Sequence, residues 1–509
     1  MSMAENNSSG KVSQLVEMTK ELSRFVEQAA REGDALCGVE RGVLDRLLKM
    51  GHTVVGHFLE LQGDGDLGEI ATTDDGQSIS RSSEPVSRRL RTIFGEHRFS
   101  AYVYRERSHP NTAILFRPID ARMSLSPGSW SHLLEEFTQL FAIDQAFAPA
   151  AEAFQRIFRQ QLSVDTLERV NVEMGQEAAE FLVNLAAPPV EEEGEFLVLT
   201  SDGKGVPLVK EDALRLGCFE ERPQRPGNRR MATLASVYSV DAFVRTGEQI
   251  VAALFRDGRE ESLPQQRRPE PCHKRVVAHL PQVLDEIDPT TPVSGSLLAL
   301  SWAGDEVQRR RQPGQKLVCL MDGQSSLWET ARLCTDTVPA EERIEILDIV
   351  HVASYVWKAA KAFHAHREHQ EAFARERLLR ILQGDVQSVI TGMRRMATQR
   401  LAAAGRKEIA TVCGYFTTHA DRMQYHDDLA AGYPIATGVI EGACRHLVKD
   451  RMERSGMRWT QTGAQAMLDV RAVHQSSYWD EFHQQRIERQ RESIKPYRTL
   501  LGQLTLLGA

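Results

Sequence analysis

The chain has 509 residues, 41% apolar and 26% charged, with a formal net charge of −8, which predicts two to four folded units of an ordinary globular protein. No run approaches 18 apolar residues, the start MSMAENNSSGKVSQ carries no charged-then-apolar signal, and the seven cysteines never form Cys-x-x-Cys; no membrane span, no export, reduced cytoplasmic thiols and no structural zinc site are expected. The net acidity argues against a polyanion partner for the surface as a whole, but a local basic patch acts over about one Debye length, roughly 8 Å at physiological salt, and can override it.

In chain order, residues 11–62 read as helices, with Leu15, Val16, Leu22, Phe25 and Val26, then Val43, Leu44, Leu47 and Leu48, near helical spacing. Residues 63–83, rich in Gly, Asp, Ser and Thr, read as a loop, and alternating segments in 90–118 as a β-hairpin or small sheet. Helical pattern returns from Trp130. Within it, AAEAFQRIFRQ, the turn at Leu162-Ser163 and VDTLERVNVEM resemble a helix-turn-helix, and read equally as two packed helices. Pro188, Pro189 and Glu191–Glu193 mark a boundary. Strands are predicted at EFLVLTSDG, ATLASVYSVDAFV and KLVCLMDG; LLALSWAG is an apolar run of either type, and RIEILDIVHVASYVW begins as strand and continues as helix. Residues 352–430, and again 438 to about 490, are helical in pattern. The predicted segments are 1–65 (helical), 66–130 (containing β), 131–190 (helical), 191–351 (strand-rich), 352–435 (helical insertion) and 436–509 (C-terminal helices).

Two of those strands have one form: an apolar run ending in Asp-Gly, at Asp202-Gly203 and Asp322-Gly323. Such a run reads as a buried strand, and the glycine as a sharp turn that leaves the carboxylate at the strand's end. A third acid, Glu441, follows Pro434 and Gly438 and opens a helical stretch. Asp and Glu are the hard anionic donors that magnesium or manganese prefers, and several are needed where two ions act on a phosphodiester. Asp450 and Glu453 are rivals for the third place, but amid Lys449, Arg451 and Arg454 they read as an ion-paired helix face.

Four segments, SDGKGVPLVK, CLMDGQSSLW, LDIVHVASYVWKAAKAFH and GVIEGACRHLVKDRMERSGMRWT, resemble bacterial insertion-sequence DDE transposases of the ISKra family, related to the Mutator-like transposases. Asp348-Ile-Val-His351 is similar to the family's Asp-x-x-His, and Ile440-Glu441-Gly442 with Gly456-Met457-Arg458-Trp459 to its glutamate segment. The resemblance covers roughly residues 90–475. It implies an α/β ribonuclease-H-like catalytic domain with an all-helical insertion, preceded by mainly helical DNA-binding regions. It further implies a DNA transposase that cleaves transposon ends and joins them to target DNA, as a homodimer or higher oligomer on DNA, in the bacterial cytoplasm with the nucleoid. In that reading Asp202, Asp322 and Glu441 hold the two metal ions, Asp202 bridging them, and His351 acts near the scissile phosphate or braces the site.

Basic residues supply candidate DNA contacts: Lys204 after the first Asp-Gly; Arg222, Arg225, Arg229 and Arg230; Arg309–Arg311; Arg394, Arg395, Arg400, Arg406 and Lys407; and Arg445, Lys449, Arg451, Arg454 and Arg458 around Glu441. Trp459 reads either as a base-stacking platform or as a core tryptophan. A related nuclease without strand transfer would use the same carboxylates; a DNA-binding protein that has lost catalysis would need none of them.

Overall fold

The larger sheet is organised around a strand that is apolar throughout. Leu317–Met321 (β4; LVCLM) is buried at all five positions, the composition required of a strand paired on both edges and covered on both faces. In this computed structural model, which describes residues 3–108, 113–217, 227–257, 268–283, 292–454 and 456–504, β4 lies between Arg343–Leu347 (β5) and Phe196–Pro207 (β1), parallel to both. Arg229–Val240 (β2) and Cys272–His279 (β3) extend the other edge of β1 as an antiparallel meander. The sheet therefore has five strands in the order β5-β4-β1-β2-β3. LLALSWAG lies in a helix, Gly295–Arg310 (α1).

After β5 the chain enters Ile349–Phe363 (α3), then Arg367–Leu382 (α4), Val386–Arg400 (α5) and Ala403–His419 (α6); Ser325–Cys334 (α2) precedes β5. Phe196 and Val198 of β1, Val318 and Leu320 of β4 and Ile346 of β5 share one core with Val356, Phe373, Leu378, Val389 and Phe416 of these helices. The helical region thus covers the sheet face that carries the even-numbered residues of β1 and β4. Short Gly438–Ala443 (α7) and Gln461–Gln475 (α8) close this part of the chain.

The fold is divided into two compact units, Val172–Tyr478 and Met1–Asn171 with Trp479–Ala509. The last long helix, Trp479–Ser493, belongs to the second of these, where Arg486 pairs with Glu135 at 2.8 Å. That unit begins with helices Met3–Glu32 and Leu36–Leu61 and contains a two-stranded ribbon, Val86–Thr92 with Gly95–Ala101. A three-stranded sheet of Ile70–Thr72, Ser78–Arg81 and Tyr104–Glu106 takes two of its strands from the stretch expected to be loop. Ile79 and Tyr104 are fully buried there, so two apolar anchors outweigh a polar, glycine-rich composition. No helix among the described residues is long and apolar enough to cross a membrane.

Arg309–Arg311 do not form a free basic patch. Arg310 is buried, donating to Glu193 at 2.7 and 2.9 Å, and Arg275 meets Glu306 at 3.0 Å with exposures of 2% and 0%. Arg309 also reaches Glu306, at 2.6 Å, and Arg311 pairs with Glu342. This network ties β2, β3 and α1 together at their buried side. Removing one member of a buried, mutually neutralised set leaves an uncompensated charge and costs about 3–5 kcal/mol. Glu306→Ala is therefore expected to lower the unfolding free energy by about that amount in denaturant titration; a loss below about 1 kcal/mol would show that the network contributes no more than a surface pair.

Candidate catalytic carboxylate site

In-register pairing brings two of the expected carboxylates together. The β1–β4 ladder runs from Leu197↔Leu317 to Ser201↔Met321, so Asp202 and Asp322 occupy the next register position, side by side on the face covered by α3–α6. Asp322 ends its strand, as its Asp-Gly suggested. Asp202 does not: β1 runs on through Gly203 to Pro207, held by β2 in the pairs Asp202↔Leu234 to Pro207↔Arg229. The expected turn is corrected because antiparallel pairing with β2 continues where parallel pairing with β4 stops. Asp202 thus lies at the carboxyl end of the parallel strands although it is mid-strand, the place where open α/β sheets bind ligands.

Gly323 is required by a close approach. A Cβ there would lie 2.3 Å from the Tyr415 ring of α6. Tyr415 in turn stacks on Tyr355 of α3 with ring centroids 3.9 Å apart, and the Lys358 ammonium sits 4.2 Å over Tyr355. Burial and the charges of Asp322 and Asp348 push the Tyr415 phenol up. No local pattern signals this aromatic pair, because its members lie 60 residues apart on different helices.

Asp348 is the fully buried joint of the site. Its backbone N–H donates to Met321 O at 2.9 Å, one residue before Asp322. Its side chain caps α3 by accepting from Val350 N–H at 3.1 Å, accepts from Thr437 N–H at 3.2 Å and binds His351 Nδ1 at 3.0 Å. One residue therefore holds the end of β4 through its backbone N–H, and the ring of His351 and the chain just before α7 through its carboxylate. The hydrogen bond and charge of Asp348 raise the His351 pKa above its ordinary value of 6.5 against the opposing effect of burial, with Asp322 and Asp202 assisting.

Glu441 is exposed, on α7, which packs on β1 and β2. Burial raises its pKa, and the charges of Asp348 and Asp202 add to this against His351. Asp322 is likewise raised by burial first and by Asp202 among its neighbours. Asp202 and Asp348 are thus common neighbours of both, and like charges held together disfavour ionisation unless a cation joins them. Among the described residues none of the three is in an ion pair. The donors are hard carboxylates of the kind a divalent cation takes, although among the described residues no group of three or more His, Cys, Asp or Glu is placed so that it could hold a metal ion.

After α7 the helix widens into a π turn, Cys444–Lys449, a rare geometry that is frequent at functional sites. Its wider winding displaces carbonyls, and the buried Arg471 of α8 takes up two of them, His446 O and, at 2.9 Å, Leu447 O. The turn sets the Cys444 thiol against Asp202, Sγ to Oδ2 3.3 Å, and burial together with that carboxylate pushes the thiol up. Cysteine spacing gave no hint of this contact.

The basic candidates divide. Lys204 lies two residues beyond Asp202 on the same strand face and is half-buried; Arg445, Lys449 and Arg458 are exposed. Arg229 is exposed but pairs with Glu453 at 2.6 Å, which also engages that rival carboxylate. Asp450 pairs with His446 at 3.1 Å. Three residues are corrected as DNA contacts. Arg230 is 7% exposed and donates to Gly227 O and Arg229 O; Arg451 is 0% exposed with its guanidinium 4.8 Å over the Trp459 ring; Trp459 is 8% exposed, donates to Met452 O and aligns its backbone with Pro207 and Val209. Trp459 is therefore a core tryptophan. Arg222 and Arg225 lie outside the described residues. The helix-turn-helix segment forms two helices, Phe147–Phe158 and Val164–Asn184, joined by a short connection, and the exposed face of the second presents Asp165, Glu168 and Glu173 beside Arg169.

No protein-family model and no curated protein matches the chain.

Replacing the Asp348 carboxylate removes the hydrogen bond and most of the charge that favour protonated His351. In Asp348→Asn the His351 pKa, followed by NMR titration, is expected to fall, because only the charges of Asp322 and Asp202 are then left to oppose burial. The sign for stability follows: the pair adds stability below His351's unfolded pKa and loses it as pH rises through the raised folded value. An unchanged His351 titration in the variant would contradict this.

Proposed function

We propose that this chain is a DDE transposase of insertion-sequence type, akin to the Mutator-like enzymes, built on a ribonuclease-H-like domain with a helical insertion. The observation that carries the reading is the register that puts Asp202 beside Asp322 at the carboxyl end of β1 and β4, with Glu441 on a helix packed against the same strand. The order of three antiparallel strands, then two parallel strands on the far edge of the first, supports it, as does an all-helical stretch between the second aspartate and the glutamate.

Asp202, Asp322 and Glu441 would hold magnesium or manganese. Bound there, such ions activate a water or 3′-hydroxyl oxygen and stabilise the leaving 3′-oxygen of a phosphodiester. The chain's own groups do the rest. Asp348 favours the protonated form of His351 and orients its ring beside the carboxylates, where its second ring nitrogen is available to a phosphate oxygen. Lys204, Arg445, Lys449 and Arg458 offer charges to the backbone of the transposon ends and the target DNA. Two ends must be handled together, so a homodimer or larger assembly on DNA is part of the proposal, as is a place in the cytoplasm with the nucleoid.

The test uses duplexes carrying the element's ends with magnesium. Wild type is expected to cut them and join them to a second duplex, and Glu441→Gln to bind the ends while losing both activities by roughly 100-fold or more. Full activity in the variant would remove Glu441 from the site; cutting without joining would make the protein a nuclease.

A further inference from the structure

We infer that the two-stranded ribbon Val86–Thr92/Gly95–Ala101 is a docking surface for the phosphate backbone of duplex DNA, a role that rests on the DNA-directed reading above.

The inner face of the ribbon is fully assigned. Leu90 and His97 are buried, His97 stacks on His52 of helix Leu36–Leu61 with ring centroids 4.3 Å apart, and Phe94 at the turn lies against Gly51 of the same helix. Its outer face is consequently fixed toward solvent, and the cross-strand pairs there are Ser87↔Ser100, Arg89↔Arg98 and Arg91↔Glu96. Two arginines directly opposite one another on a sheet face are unfavourable. A single carboxylate serves both: Glu96 meets Arg89 at 2.5 Å and Arg98 at 3.0 Å, and the two guanidinium-bearing side chains stay 57% and 71% exposed. Arg91, on the same face, is turned to Gln160 and Gln161. The outer face is left with hydroxyls, unbalanced positive charge and no apolar residue.

The surroundings have the same sign. Residues 81–122 contain nine arginines against four acidic residues in a chain of net charge −8, with Arg81 engaged by Asp66 and Arg88 by Asp120. Concentrating positive charge on one ribbon of an acidic protein is the distribution that phosphate contacts require. A two-stranded ribbon also matches the roughly 12 Å width of a DNA major groove. The alternative DNA-facing element of this unit, the start of helix Val164–Asn184, presents acids instead. Within this unit the charge complementarity therefore favours the ribbon. Glu96 then serves as the resident counter-ion that DNA phosphates displace.

The experiment measures binding of the full-length protein to a 30-base-pair duplex of arbitrary sequence by fluorescence anisotropy across salt concentrations. Each phosphate contact adds about 0.9 to the slope of log affinity against log salt. Arg89→Glu with Arg98→Glu is expected to weaken binding by roughly tenfold or more and to reduce the slope by about 2. Glu96→Gln, which removes the competing carboxylate, is expected to tighten it. Unfolding midpoints confirm that the variants fold, as exposed surface positions should allow. Unchanged affinity and slope in the double variant, or weaker binding by Glu96→Gln, overturn the ribbon as the docking surface while leaving the proposed function standing. Failure of the wild type to bind any duplex overturns both.

Discussion

Two half-buried carboxylates placed side by side repel each other, and the parallel pairing of β1 with β4 enforces that proximity. The backbone ladder ends at Ser201↔Met321, and strands about 4.8 Å apart bring the next two residues, Asp202 and Asp322, near each other. A fold relieves such a clash by protonating one acid or by holding a cation. Burial is the larger cause of the raised pKa values of Asp322 and Glu441, and the charge of Asp202 adds to both. Every neighbouring element then makes sense as support for that arrangement: apolar β4 secures the register, and Gly323 lets Tyr415 close over the turn.

Asp348 couples the support to chemistry. It binds the end of β4, the N-terminus of α3, His351 and the chain before α7, so the distances among the candidate groups are set by one buried hydrogen-bonding centre rather than by loops. The π turn after Glu441 performs the matching task on the opposite side. It carries Cys444 to Asp202 and points Arg445 and Lys449 outward, with Arg471 satisfying the carbonyls that a wider helix leaves unpaired.

Strong apolar runs were legible from sequence. LVCLM, EFLVLTS and RIEIL became β4, β1 and β5, and the glycine-poor stretch after 352 became helices, because long buried periodic segments leave few alternatives. Local chemistry misled where tertiary pairing intervened. Asp202-Gly203 has the composition of a turn but is carried through as strand by β2. CHKRVVAH, too polar at its start to stand out, is β3, since Arg275 is neutralised by Glu306 within the fold. Charge and aromaticity do not by themselves distinguish a basic surface from a basic core, and Trp459, Arg230 and Arg451 belong to the core. The π turn, the Tyr355–Tyr415 stack and the thiol on Asp202 depend on contacts between distant segments and have no signature in sequence.

The central claim is that Asp202, Asp322 and Glu441 form one cation-binding point. Its most direct test is binding of Mn²⁺ by the DNA-free protein, followed by electron paramagnetic resonance, for wild type and Asp202→Asn. Asp202 neighbours both other acids, so its neutralisation is predicted to weaken Mn²⁺ binding by roughly tenfold or more. Equal binding by the two proteins would contradict the account, because the acids would then be neighbours in the fold without acting as a site.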